Sequence, residues 1–302
     1  MKISRAYSLV ELSVVILIVG VLVGGISEGG KLLKKSKLRA ARSMTKSSYA
    51  AGVEDMILWL DVTAEGSMLN GATTPSRKVE DGNTIQTWDD VNPQITSKLS
   101  FTQGTDSARP LYEDNGINGL PSLYFNASAD CTTGKKLDAP YSPVINTPEF
   151  TIFAVILTME ATTSLGMFID NYTTGRGFEL YKNTAADTHK LTMEIYSSAG
   201  VKYPKDTAAL ILNLPYIVTA SRTSLVSNVY KNGNNVGTNT DTAAYLPPGT
   251  TATFRIGGYF NGGNYHYDGY ISEIIMYGRV LADDERKEIE KYLGRKYGIK
   301  VS

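Results

Sequence analysis

Three textures of hydrophobic and polar positions succeed one another along the chain. From Leu12 to Ser27 no residue is charged, and Val, Ile, Leu and Gly fill most of the stretch. Such a run predicts a membrane helix, a little short of a full span. Taking it back to Tyr7 gives the roughly 20 residues that cross a hydrocarbon core, but then takes in one carboxylate, Glu11. Residues 31–60 follow with Lys, Leu, Arg, Ala and Met, all good helix formers. Leu38, Ala41, Thr45, Tyr49, Val53 and Met56 recur at steps of three and four, a stripe that predicts packing against a globular partner. A helix from Tyr7 to about residue 56 extends roughly 75 Å.

Beyond residue 60 the period shortens. Strand-like runs recur at Ser122–Asn126, Phe150–Thr158, Gly177–Tyr181, Leu191–Ser197, Tyr216–Ser221, Leu225–Lys231 and Thr253–Tyr259. Between and around them lie Asn70-Gly71, Asp81-Gly82, Asn118-Gly119, Asn232-Gly233 and Asn261-Gly262, dipeptides that adopt left-handed turn conformations at little cost. Leu225–Lys231 followed by Asn-Gly reads as one arm of a hairpin. Many short strands with such turns predict an antiparallel sandwich. The segment from Tyr267 to Leu281 is apolar on both parities, so both of its faces should be covered. Asp283, Asp284 and Glu285 then open a short helix, Asp283 supplying the cap, with Ile289, Tyr292, Leu293 and Tyr297 packing onto the head. The fold class is α+β, a long N-terminal helix joined to an antiparallel β-sandwich (jelly-roll) head with a short C-terminal helix.

Composition changes this picture little. The 302 residues carry 30 basic and 30 acidic side chains, so no global charge draws the chain to nucleic acid. The basic run Lys31, Lys34, Lys35, Lys37, Arg39, Arg42 and Lys46 follows the apolar segment and reads as solvated surface or headgroup contact. A single cysteine, Cys131, excludes an intrachain disulfide, and two separated histidines are a poor start for a zinc site. By its residues alone the front segment fits three readings. One is a secretory signal peptide with small residues at 24–30, another a plain anchor, and the third a processed segment in which Glu11 has a task.

The stretch Ala6-Tyr-Ser-Leu-Val-Glu-Leu-Ser-Val-Val-Ile-Leu-Ile-Val-Gly-Val-Leu resembles the class III signal of type IV pilins and type II secretion pseudopilins. The resemblance implies cleavage between Ala6 and Tyr7 by a prepilin peptidase, methylation of the new amine, and Glu11 as the fifth residue of the mature chain. Tyr7 stands where that family usually has Phe, and Ala6 where it usually has Gly. The new ammonium lies about 6 Å along a helix from Glu11, so the carboxylate of one subunit can pair with the amine of the next. Gly20 and Gly24 then let neighbouring backbones approach. Implied partners are copies of the chain, other pilin-like subunits and an inner-membrane assembly platform. The implied location is the bacterial inner membrane, then an extracellular filament or a periplasmic pseudopilus.

The head resembles the laminin-G/concanavalin-A-like superfamily. Leu58-Trp-Leu-Asp61, Thr87-Trp-Asp-Asp90, Arg109-Pro110, Asn118 to Ser128, Phe150 to Val155, Asp268-Gly269 with Glu273, Arg279 and Leu281, and the closing helix through Ile299 carry the likeness. It implies a two-sheet jelly roll, with Trp59 and Trp88 as framework. The domains are then residues 1–6 as leader, 7–56 as membrane and assembly helix, and 57–302 as head.

No E-x-D-x-E strand, G-x-S-x-G elbow or histidine cluster marks an enzyme, and Glu179 and Glu194 are expected to face solvent. The candidate glycan-binding loop is Asn261, Asn264, Tyr265, His266 and Tyr267, amphipathic rings beside polar turns. Lectin-like relatives often hold Ca2+, for which Asp61, Asp89, Asp90, Asp170 and Asp268 are available, but no dense acidic loop assigns a ligand set. The function these readings imply is a structural subunit of a pilus-like filament displaying a lectin-like head for surface attachment. A secretion pseudopilin is the alternative, ahead of a DNA-uptake pilin or a carbohydrate-active enzyme.

Overall fold

The computed structural model describes residues 9–128, 134–159, 165–184, 189–259 and 265–302, and in α1 (Leu9–Lys46) only some of the side chains before Glu28. Helix α1 has 38 residues, about 57 Å. It ends at Lys46, short of the expected residue 56. The Thr45 and Ser47 hydroxyls bond back to the Ala41 and Ser43 carbonyls (3.2 and 2.9 Å), the competition with helical bonding that short polar side chains offer. A 3-10 turn, Tyr49–Gly52, then redirects the chain. Tyr49, expected on the stripe, is therefore exposed, whereas Val53 and Met56 enter the core outside the helix. Among the described residues no helix is long and apolar enough to cross a membrane.

The strands are β1 (Met56–Asp61), β2 (Met68–Asn70), β3 (Ile85–Asp89), β4 (Ser100–Thr102), β5 (Leu111–Glu113) and β6 (Ser122–Phe125). Next come β7 (Leu137–Ala139), β8 (Phe150–Thr158), β9 (Gly166–Asp170), β10 (Phe178–Lys182), β11 (Lys190–Ser197) and β12 (Gly200–Lys202). The last are β13 (Lys205–Ala209), β14 (Pro215–Arg222), β15 (Val226–Lys231), β16 (Asn234–Thr240), β17 (Phe254–Ile256) and β18 (Gly269–Tyr277). Helix α2 (Asp283–Tyr297) closes the chain.

All strand pairings are antiparallel. One sheet runs β16-β15-β14-β8-β18-β6-β5, with β1 also on β18; the other runs β12-β11-β10-β9-β17-β7-β4-β3-β2, with β13 on β11. Between them lies a large apolar core that includes Leu58, Trp88, Phe101, Phe125, Phe150, Phe178 and Phe254. The outer face of the first sheet is covered by the end of α1, the 3-10 turn and α2. There Trp59, Phe153, Ile275 and Tyr277 meet Ala41, Ile289, Tyr292, Leu293 and Tyr297. Strand β18 thus buries both parities, and the apolar face of α2 docks as its pattern requires.

Asn232 and Gly233, at φ 50° and 88°, turn β15 into β16, the expected hairpin. The cap of α2 differs from expectation. Ala282 is the capping residue, and its N–H donates to the Glu285 carboxylate at 2.9 Å, so Asp283 is the first helical residue instead.

Candidate functional site

On β10 and β11 the sequence repeats a short phrase, Glu179-Leu-Tyr181 and Glu194-Ile-Tyr196. Alternation sends Phe178, Leu180, Met193 and Ile195 into the core and leaves Glu179, Tyr181, Glu194 and Tyr196 on the outer face. Antiparallel register sets Glu179 directly opposite Glu194. The same transverse row continues through Asp170 on β9, Arg255 on β17 and Asp138 on β7. Five adjacent strands therefore align four carboxylates and one guanidinium.

Each member of the row is held differently. Arg255 donates to Asp170 Oδ2 at 2.9 Å, and the Tyr172 N–H donates to Asp170 Oδ1 at 2.7 Å. Burial nevertheless pushes the Asp170 carboxyl up to about 7, against the pull of Arg255. Tyr196 and Tyr181 donate to the two oxygens of Glu194 at 2.5 and 3.2 Å. Glu179 is only 3% exposed, and its Oε1 has no hydrogen-bond partner. Desolvation, reinforced by the negative neighbours Glu194 and Asp170, drives its carboxyl far above the usual range, so it is a neutral acid at physiological pH. Burial also raises the phenols of Tyr181 and Tyr196, which stay protonated donors.

Tyrosine rings cover the row. Tyr172 packs on Tyr196 at 4.7 Å between centroids and stacks on Tyr259 at 6.0 Å, and Tyr265 meets Tyr259 edge-on at 5.1 Å. All four rings are half-buried, and beside them Tyr203 is 48% exposed. The turn after β9 places Tyr172. At its end Gly177 has φ +95°, and a Cβ there would lie 2.1 Å from the Asn171 carbonyl oxygen. Only glycine closes this turn without strain. Half-buried rings beside polar groups, on a sheet face that no helix covers among the described residues, can stack against sugar rings and bond to their hydroxyls.

The sequence-predicted site residues scatter around this face. Asn261 and Asn264 lie outside the described residues. Tyr265 joins the roof. His266 and Tyr267 do not form an exposed platform. His266 is 6% exposed, and Tyr267 is fully buried, sharing a hydrogen bond with Thr158 (3.1 Å) and packing on Phe168. The chain dips into the sandwich there because Tyr267 fills core volume next to β18. Glu179 and Glu194, expected in solvent, are buried and half-buried, since the neighbouring strands bring tyrosines over them.

Trp59 and Trp88 are core residues. The five aspartates considered for calcium are dispersed. Asp61 pairs with Lys296, Asp89 with Arg77, and Asp170 with Arg255; Asp90 accepts from the Trp59 and Asn92 N–H groups, and Asp268 from Tyr124. Among the described residues no group of three or more His, Cys, Asp or Glu could hold a metal ion. Ala6 and Tyr7 lie outside the described residues, and Glu11, Gly20 and Gly24 fall on α1 where side chains are not described.

The family model described as the concanavalin A-like lectin/glucanases superfamily, of laminin-G type, matches residues 131–285. The chain belongs to this superfamily. The match takes in β10, β11, β17 and β18, and with them the tyrosine–carboxylate face. No curated protein matches the sequence. Among solved structures the chain is similar to the botulinum neurotoxin serotype G binding domain, at 12% identity and a TM-score of 0.55 over 79% of this chain and 51% of that one. It is also similar to the serotype D binding domain, with 12% identity and a TM-score of 0.54 over 82% and 53%. A third is the binding domain of Paraclostridial Mosquitocidal Protein 1, with 11% identity and a TM-score of 0.51 over 78% and 52%. The chain spans about half the length of each. At these identities the likeness concerns the fold alone; within this chain the sandwich already includes β1, which pairs with β18.

Proposed function

We propose that this chain is a filament subunit of the type IV pilus kind, cut between Ala6 and Tyr7, polymerised through α1, and displaying its head for attachment to surface glycans. The observation that carries the reading is the division of α1. Among the described residues its ties to the head begin at Lys34, which pairs with Asp114 at 2.6 Å. They continue through Arg42 to the Thr63 carbonyl (2.8 Å), and through Thr45 to Asp61 (2.8 Å). Further forward, Val15, Ile16, Leu17 and Val19 are 51–67% exposed. Burying such side chains is worth about 1.5–3 kcal/mol each. A bundle of like helices provides that burial, and within it Glu11 of one copy pairs with the Tyr7 amine of the next. The basic run of α1 then lies at the base of the head, and the tyrosine–carboxylate face points away from the α1-covered sheet, free to meet a glycan.

Mass spectrometry of the mature chain tests the first half. A methylated N-terminus at Tyr7 is expected, and Glu11→Ala should leave the head folded while cutting filament yield. A mature chain that begins beyond Gly25 and stays monomeric overturns the reading. For the second half, Tyr259→Ala should weaken retention of the protein on a glycan array. Release of reducing ends from the bound glycans would instead make the face an active site.

A further inference from the structure

Two observations on the tyrosine–carboxylate face bear on which glycan it takes. Glu179 and Glu194 stand directly opposite each other on neighbouring strands, a pair that only the proton on Glu179 keeps from being two like charges. Among the described residues neither has a cation of its own, and Arg255, whose charge reaches Glu179, is held by Asp170 at 2.9 Å. The second observation is independent of that charge. Glu179 is buried to 3% exposure, yet its Oε1 has no hydrogen-bond partner, an unmet acceptor under the rings.

The carboxylates run in a line across the strands instead of converging on a point, and among the described residues they form no metal-holding group. A small spherical cation is therefore not what the face is shaped for. A neutral hexose could stack on the rings but would bring no positive charge to Glu194. An ammonium answers both features, since ring faces present the negative end of their quadrupole and Glu194 presents a carboxylate beside them.

We infer that this face takes a ligand bearing a protonated amine, in glycan form a chain of amino-sugar residues with free amino groups. The inference rests on the glycan-attachment reading and narrows it. The ammonium enters beside Glu194, and the proton carried by Glu179 leaves to solvent, so the charge gained equals the charge lost. The groups facing Glu179 are Glu194, Asp170 and Arg255 from three neighbouring strands, with the phenols of Tyr181, Tyr196, Tyr203, Tyr172 and Tyr259 around them.

The test is calorimetric titration of the full-length protein, in detergent micelles, with a β-1,4 glucosamine hexamer and with its fully N-acetylated counterpart. Each titration is run in two buffers of different ionisation enthalpy. The free-amine hexamer should bind roughly tenfold more tightly, with a buffer-dependent heat that reports proton release. Glu194→Gln should bring the affinity ratio close to one, and Glu179→Gln should remove the buffer dependence in a protein that still melts cooperatively. Equal affinity of the two wild-type complexes overturns the amine preference and leaves glycan attachment standing. Binding of neither hexamer by the folded protein overturns both.

Discussion

The two outer faces of the sandwich each carry a carboxylate pair, and they treat it in opposite ways. On the helix-covered sheet, Asp61 and Glu273 flank Lys296, whose ammonium lies 2.8 and 2.6 Å from them at zero side-chain exposure. Trp59, Tyr292 and Tyr297 donate the remaining hydrogen bonds to Glu273, and Thr45 of α1 completes the cluster through Asp61. On the open sheet, Glu194 has two tyrosine hydroxyls and Glu179 has Glu194, and among the described residues neither has a lysine. A buried charge with full partners is a structural joint, here one that ties α1, β1, β18 and α2 together. A buried carboxyl without a cation holds its proton and leaves capacity for something that arrives later. Burial alone therefore does not distinguish framework from site; the balance of partners does.

Removing the joint's cation should have the largest effect. Lys296→Ala leaves two carboxylates buried and unpaired, and is expected to cost about 3–5 kcal/mol in urea unfolding. A loss below about 1 kcal/mol would mean that water reaches the cluster and that the contrast between the faces is overdrawn. Next comes Gly177→Ala, which forces a side chain into the left-handed conformation against the Asn171 carbonyl. It should cost about 1–3 kcal/mol, and it should disturb the near-ultraviolet circular dichroism of the tyrosine roof.

On the open face the sign reverses. Unfolded Glu179 ionises near the ordinary carboxylate range, whereas the folded group keeps its proton to much higher pH. The folded state therefore binds more protons through that interval, and its stability falls as pH rises. Glu179→Gln removes this slope, so at mildly alkaline pH it should raise the melting temperature by about 2–4 °C for each kcal/mol gained. Below the ordinary carboxylate range it should gain nothing. A variant destabilised at every pH would show that Glu179 is bonded as firmly as Glu273. The smallest change is expected from Lys34→Ala, since the pair with Asp114 is about 40% exposed on both sides (41% and 37%). Its loss should fall within about 1 kcal/mol, a baseline against which both faces can be measured.

Much of the scaffold was legible because it depends on local pattern. Phe150–Thr158 is a strand over the span its apolar run predicts, and Asn232-Gly233 makes its hairpin. The apolar stripe Ile289, Tyr292, Leu293 and Tyr297 docks α2. Short strands such as β2, β4, β7 and β12 carry too few residues to show a period, and pairing with longer neighbours defines them. The end of α1 was misplaced because the stripe of apolar steps continues through Met56, while the hydroxyls near Thr45 and Ser47 favour a break that periodicity does not register.

The tyrosine–carboxylate face had a signal that went unread, the phrase Glu-x-Tyr on two adjacent strands, with the third residue returning each side chain to the same face. Alternation told which side of the strand each Glu occupies. It did not tell what lies above it, because Tyr172, Tyr259 and Tyr265 come from other loops.

By itself, then, the sequence determined the longer strands, the Asn-Gly hairpin and the closing helix with its apolar face, all of which follow from neighbours a few residues apart. Only the tertiary structure decided that Lys296 neutralises Asp61 and Glu273, that Tyr267 belongs to the core, and that Glu179 keeps its proton beside Glu194. Charge state and burial depend on distances in space, and residues far apart in the chain acquire those distances only when the sheets close.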